Sequence, residues 1–250
     1  MRKAFGAEKT DEEIGRIADG CLDGFGAGMI ELIYLIDRPE KIPGIVSIEG
    51  KEYLDQVLKQ GRGAVLLSAH FGSFILMFLR MALAGYKTNV IMRRMKDKQF
   101  ESYISAFRNE NGIRTIYALP RQECVEKSLK ALRENQILFI LLDQNYGEEG
   151  VVFVDFFGQR AATATGPVIF SARSGAPILP VFIVPDGKGR HRIVIEPPVV
   201  FRKEESSDSR LVQNVAQLTK IIERFIRRYP EAWGGWMHRR WKSQETAKTQ

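Results

Sequence analysis

The sequence predicts an α/β fold, a largely parallel central sheet flanked by helices with an N-terminal helical segment. Two continuous apolar runs, Ala64-Val65-Leu66-Leu67 and Ile137-Leu138-Phe139-Ile140-Leu141-Leu142, read as strands covered on both faces. Around them, strand-like runs alternate with stretches of helical periodicity, as crossover connections between parallel strands require. The 250 residues, 44% hydrophobic and 27% charged, suffice for one substantial core.

Thr10-Asp11-Glu12-Glu13 fits a capping box, and the helix it opens carries Ile14, Ile17, Ala18 and Cys21 on one side. Gly24, Gly26 and Gly28 weaken its continuation, so a second helix is expected over residues 28–37, closed by Pro39 and Pro43. Residues 1–44 thus form the N-terminal helical segment and 45–242 the main domain. A strand at 45–48 and a helix at 51–58 precede the strand that ends at His70. Helix is expected at 75–84, strand at 89–92, helix at 98–110, a weak strand at 115–117 and an amphipathic helix at 122–133. Pro167 suits the first turn of a helix running to Ser174. Strands follow at 178–184 and 192–195. Leu211, Val215, Leu218, Ile222 and Phe225 mark one face of a long C-terminal helix. Residues 203–209 read as a polar loop and 243–250 as a frayed, disordered tail.

The net charge of +7 favours anionic partners: phospholipid, nucleic acid or an acidic carrier protein. Nucleic-acid binding rests on charge alone, since no recognised motif supports it, and is set aside. Cys21 and Cys124 match no metal or redox spacing and read as reduced, buried thiols. No stretch approaches the roughly 18 apolar residues of a membrane span. The best, residues 29–36, is short and carries Glu31, so a membrane protein of this kind would bind the surface as a peripheral protein. The first residues do not read as a signal peptide.

His70 ends a buried strand, where open α/β sheets place their chemistry. Its imidazole suits general-base work near neutral pH, and Gly72 allows close backbone approach by a ligand. The structural alternative is a strand-end histidine capping the next helix. His70, His191 and His238 have no zinc spacing, and His191 reads as an exposed strand residue. There is no G-x-S-x-G elbow and no P-loop, and Gly24-Phe25-Gly26-Ala27-Gly28 lacks the strand that a dinucleotide site needs.

His70-Phe71-Gly72-Ser73-Phe74-Ile75 resembles the His-x-x-x-x-Asp/Glu signature of glycerolipid and lipid A acyltransferases, with Ile75 at the position of the acid. Further segments resemble the lipid A biosynthesis acyltransferase family, within the lysophospholipid acyltransferase-like superfamily. They are Arg93-Arg94, Asp143-Gln144-Asn145, residues 150–158 (GVVFVDFFG) leading to Gly166-Pro167, residues 174–182 (SGAPILPVF), and Pro230-Glu231-Ala232-Trp233 with His238-Arg239-Arg240-Trp241-Lys242. The resemblance runs from about residue 45 to Lys242 and rests on six segments in order.

It implies a glycerolipid acyltransferase-like fold and transfer of a fatty acyl group from an acyl carrier protein or coenzyme A thioester to a lipid hydroxyl. No cofactor beyond that co-substrate is implied. His70 would be the base, and Arg93 or Arg94 could hold phosphate bidentately; a solvated basic loop is the structural alternative. Phe71 and Gly72 belong to the motif, and Phe71, Phe74 and Met77 are candidates to set acyl length. Arg160 and Arg173 flank the helix entrance at Thr163, Thr165 and Gly166, and Arg239 lies in the closing basic cluster.

Ile75 removes the acid that would orient His70. Asp143 is the expected substitute, because it ends the second buried strand as His70 ends the first; a turn-capping role is the alternative. Glu148, Glu149 and Asp155 are poorer choices. Trp233, Trp236 and Trp241 among basic residues suit a membrane interface or, equally, core packing. The expected setting is the cytoplasmic face of an inner membrane with anionic lipid as partner. Kept open are a lysophospholipid, glycolipid or aminolipid acceptor, and a degenerate lipid-binding homologue without turnover.

Overall fold

The computed structural model describes residues 1–145, 150–187, 189–201 and 207–243. Glu148 and Glu149, most of the expected polar loop, and residues 244–250 of the tail lie outside them.

The chain opens with α1 (Arg2–Phe5), α2 (Asp11–Ile36) and α3 (Ile42–Ile45). It continues through β1 (Val46–Glu49), α4 (Lys51–Leu58), β2 (Ala64–Ser68), α5 (Phe74–Leu83), β3 (Thr88–Met92), α6 (Lys98–Glu110) and β4 (Ile113–Tyr117). Then come α7 (Arg121–Arg133), β5 (Ile137–Leu141), the hairpin β6 (Val151–Phe156) and β7 (Gln159–Ala164), and α8 (Gly166–Ser174). Strands β8 (Ile178–Pro185) and β9 (His191–Ile195) precede α9 (Ser207–Arg228) and two 3-10 turns, Pro230–Ala232 and Gly234–Met237.

Seven strands form one sheet in the order β1-β9-β8-β2-β5-β3-β4, parallel except where β9 runs antiparallel to β8. Alternation along the strands divides the core in two. Val65, Leu67, Leu138 and Phe182 pack on one face with α9 and α8, while Leu66, Phe139, Val181 and Ile183 pack on the other with α4 and α5. Both apolar runs that predicted the sheet lie side by side at its centre, with Leu67 opposite Ile140 and Ser68 opposite Leu141.

The capping box forms: Thr10 Oγ1 accepts from the Glu13 N–H at 3.2 Å, and Glu13 accepts from the Thr10 N–H at 2.8 Å. The expected break at Gly24–Gly28 is absent. Helix α2 runs unbroken for 26 residues, about 39 Å at the usual rise. Each helical glycine costs up to about 1 kcal/mol against alanine, yet Gly20 is held against the Pro230–Ala232 turn so closely that a Cβ would lie 2.7 Å from Glu231 Cδ. A side chain there would have to displace the Glu231 carboxylate.

Candidate active site

The site is built at the carboxyl edge of the sheet, where β2 and β5 stop together. The Leu142 N–H donates to the Ser68 carbonyl at 3.0 Å, the last rung of the ladder, so His70 and Asp143 leave adjacent strands side by side. The His70 Nδ1 lies 2.9 Å from Asp143 Oδ1, and the indole Nε1–H of Trp233 donates to Asp143 Oδ2 at 2.8 Å. Asp143 is 1% exposed. Burial pushes its carboxyl up, but the His70 hydrogen bond and charge and the Trp233 hydrogen bond outweigh this, and the net direction is down. An ionised carboxylate only accepts, so it holds the His70 proton on Nδ1 and leaves the Nε2 lone pair free. Gln144 Nε2 approaches that lone pair at 3.3 Å. An imidazole held by a buried carboxylate in this way is the arrangement that general-base chemistry requires.

Three contacts between residues 70–72 and 232–234 lock this geometry. Phe71 bridges to Trp233, the Gly234 N–H donates to the His70 carbonyl at 2.8 Å, and the Gly72 N–H donates to the Ala232 carbonyl at 2.7 Å. Gly72 has φ +50°, and a Cβ there would lie 2.8 Å from the Ile183 carbonyl oxygen. The β8 backbone alone therefore requires glycine here, and Gly72 also lines the cleft, where a ligand could approach its backbone.

His70 opens onto a cleft of about 510 Å³. Its walls are the glycine-bearing face of α2, the start of α5 with Phe74, Ile75 and Leu76, and Gln144, Ala232 and Met237. Gly20, Gly24 and Gly28, one turn apart, line the cleft on this helix and add no side chain to it. Ile75 is on the cleft wall, partly exposed, so the position of the missing acid is lined by hydrocarbon.

Other expected residues fall in different places. Phe71 and Met77 are fully buried in the core, Phe71 edge-on to Phe182, so of the three candidates for acyl length only Phe74 reaches the cleft. Arg93 and Arg94 are exposed beyond the end of β3, one strand over from β5, and Arg94 stacks its guanidinium 3.9 Å from the Tyr117 ring centre. Arg173 is in the last turn of α8, which ends at Gly175 beside Arg62, at the edge opposite His70, so it does not join the site. Arg160 lies beside the hairpin turn in register with Asp155, and Asp155 pairs with Lys220 at 2.5 Å. Thr163 and Thr165 spend their hydroxyls internally, on the carbonyls of Ala161 and Gly150, both at 3.0 Å.

Arg239 is exposed, whereas the neighbouring Arg240 is 1% exposed. Its guanidinium donates to the Ala162 carbonyl, to Thr163 Oγ1 at 2.5 Å and to the Gln144 carbonyl at 3.4 Å. Trp233 is buried, Trp236 and Trp241 are half-buried against the core, and Trp236 Nε1 donates to the Pro230 carbonyl at 2.7 Å. Of the two readings, core packing describes Trp233, and Trp236 and Trp241 pack on the core while keeping part of their surface exposed.

The sequence reading missed Trp233 and Gln144 as partners of His70–Asp143. Gln144 adjoins Asp143, and Trp233 sits in the Pro-Glu-Ala-Trp segment, so motif position was the only signal. It also misplaced His191, which is half-buried on the cleft wall with Nε2 2.7 Å from Glu31 Oε2.

The family model described as bacterial lipid A biosynthesis acyltransferase matches residues 1–243. The lipid A biosynthesis lauroyltransferase of Escherichia coli is 24% identical over 241 residues, which cover 94% of this chain and 75% of that protein. The lipid A biosynthesis palmitoleoyltransferase of the same organism is 27% identical over 212 residues, 81% of this chain and 63% of that protein. A phosphatidylinositol mannoside acyltransferase of Mycobacterium tuberculosis is 24% identical over 143 residues, 57% of this chain and 45% of that protein. The matches thus span three quarters of the first of these relatives and under two thirds of the other two.

Proposed function

The chain belongs to the bacterial lipid A biosynthesis acyltransferase family, and we propose that it moves a fatty acyl group from a thioester to a hydroxyl of a lipid acceptor, with His70 as general base. The observation that carries this reading is the His70–Asp143–Trp233 relay at the mouth of an apolar cleft. The donor is an acyl carrier protein or coenzyme A thioester, and the acceptor a lipid A precursor or a similar glycolipid. The acceptor hydroxyl takes the place of Gln144 at His70 Nε2. As the hydroxyl oxygen bonds to the thioester carbonyl carbon, its proton passes to Nε2 and the carbonyl oxygen becomes an oxyanion. Asp143 stabilises the imidazolium so formed, and the Gln144 amide is an N–H donor within reach of the oxyanion. When the tetrahedral adduct collapses, the carbon–sulfur bond breaks and Nε2 returns the proton to the leaving thiolate.

Direct transfer is favoured over an acyl-enzyme. Cys21 and Cys124 are thiols that burial pushes up, away from thiolate, and the Ser73 hydroxyl is turned to Glu31 at 3.4 Å. The hydrocarbon walls of the cleft suit an acyl chain. Arg93 and Arg94, at the same sheet edge as His70, suit the phosphates of acceptor or donor. The excess of basic charge suits work as a peripheral protein at the cytoplasmic face of an inner membrane, on anionic lipid.

Purified protein with a long-chain acyl thioester and a lipid A precursor tests the reading by mass spectrometry of the lipid product. His70→Ala should abolish transfer. Asp143→Asn should lower kcat by about 10²–10⁴-fold with little change in KM. Full activity in His70→Ala overturns the base assignment, and an equal loss in kcat and lipid binding in Asp143→Asn overturns the orienting role.

A further inference from the structure

The cleft before His70 is lined largely by hydrocarbon, Phe25, Met29, Leu32 and Ile75 among it, but one polar station interrupts that wall. Ser73 and His191 line the same cleft, and both are bonded to Glu31. Three elements bring them together. Glu31 is the only charge between Gly24 and Ile36 on α2, Ser73 precedes α5, and His191 opens β9. Glu31 Oε2 accepts from His191 Nε2 at 2.7 Å and from the Ser73 hydroxyl at 3.4 Å. A carboxylate only accepts, so the His191 proton is on Nε2. No group among the described residues bonds the other ring nitrogen, Nδ1.

The His191 and Glu31 side chains are only 16% and 20% exposed. A hydrocarbon chain laid over His191 would take water from this pair and return no hydrogen bond, a loss that buried polar groups carry badly. A ligand that fits the cleft therefore brings a polar group to this place, and the station selects its kind. A second anion would meet the Glu31 carboxylate, and an ammonium would meet a donor whenever the imidazole is charged. A hydroxyl suits both states, since it donates to a neutral Nδ1 and accepts from a charged one. The Ser73 hydroxyl can add a second bond, because it too donates and accepts. Ser73 is three residues beyond His70, a span of at most about 10 Å. The group read here thus belongs to the part of the substrate next to the reacting bond.

We propose that His191 and Ser73, backed by Glu31, form a subsite for a second substrate hydroxyl, one that is not itself acylated. Two sources share that chemistry: a sugar or polyol headgroup on the acceptor, and a hydroxylated acyl chain on the donor. This deepens the acyl-transfer reading and rests on it for the substrates, but its measurement needs no turnover.

The test is calorimetric binding to the full chain carrying His70→Ala, so that ligand is held without reaction. Two pairs of probes serve: β-hydroxydodecanoyl-coenzyme A against dodecanoyl-coenzyme A for the donor, and octyl glucoside against octanol for the acceptor. One pair should show a preference of about tenfold for its hydroxylated member, the worth of one hydrogen bond. His191→Gln keeps an N–H donor for Glu31 and loses Nδ1, and should bring that ratio close to one. Ser73 makes no cap bond to α5, so Ser73→Ala spares the helix and should lower the ratio in the same direction. A role confined to tying α2 to β9 would shift both members of a pair alike and leave the ratio standing. His70→Ala leaves two of the three histidines, and nitrogen NMR should show the His191 Nδ1 resonance move with the hydroxylated probe alone. Preference within the coenzyme A pair assigns the hydroxyl to the acyl chain, and preference for the glucoside assigns it to the headgroup. The subsite is overturned if neither pair shows a preference, or if the preference survives His191→Gln. If no probe binds at all, the acyl-transfer reading of the cleft falls with it. A preference that His191→Gln erases, in a protein whose wild type transfers no acyl group, supports the subsite and overturns the reaction instead.

Discussion

Asp143 has both carboxylate oxygens committed, one to His70 and one to Trp233, in a place water does not reach. The acid of the sequence signature was to be four intervening residues after the histidine, on the helix that follows. Here the carboxylate beside the histidine comes from the neighbouring strand, and Ile75 lines the cleft. Asp143 was legible because two buried runs each end in a titratable residue, which a parallel pairing brings to one sheet edge, and β2 and β5 do pair in parallel. Trp233 was not, since its contact spans 90 residues of chain and no local pattern encodes it. The carboxyl of Asp143 is held below the ordinary aspartate value of 3.8. Its ionised form therefore adds stability above that value and loses it as pH falls through the lowered one. Urea unfolding of wild type and Asp143→Asn across pH should show a gap that is constant above about pH 5 and narrows below about pH 4. A gap that persists unchanged through that acid range would mean the carboxylate is not the stabilised species.

Elements with a strong period were readable within a residue or two: α4, α6 and the central strands lie where alternation and periodicity put them. Helix α2 was misread as two because glycine was taken only as a helix breaker. The capping box and the tertiary contacts of α2 carry the helix through its glycines, and those contacts are invisible without the partner surface. Gly24 makes the point testable, because a Cβ at that position meets nothing within 4 Å. Gly24→Leu should leave α2 unstrained and raise unfolding free energy by up to about 1 kcal/mol through helix propensity. The same side chain would occupy the cleft in front of His70. Transfer from a long acyl thioester should fall by roughly an order of magnitude more than transfer from a short one. A stabilised variant with an unchanged chain-length profile would place the acyl chain elsewhere.

At the scale of the molecule, the two ends of the chain meet over the middle. The sheet and its two-sided core follow from hydrophobic patterning, but closure of the site depends on residues 229–243 folding back across the β2–β5 edge. The sequence marks that segment only as a basic and aromatic cluster, and in it buried Arg240 and exposed Arg239 look alike. Burial pushes the Arg240 guanidinium down to about 10, with Asp143 pulling weakly the other way. The cation persists because carbonyls of Ala162 and Gln144, the Thr163 hydroxyl and the Phe156 ring at 5.1 Å surround it. It ties the β6–β7 hairpin to the strand end that bears Asp143. Arg240→Met fills much of the volume but leaves those acceptors buried and unpaired, at about 1–3 kcal/mol each. Urea unfolding should show a loss of about 3–5 kcal/mol, with Arg240→Lys recovering only part of it, since an ammonium cannot span the three acceptors as the guanidinium fork does. A loss under about 1 kcal/mol would mean that water replaces the guanidinium and that the C-terminal segment holds the site closed through Trp233 alone.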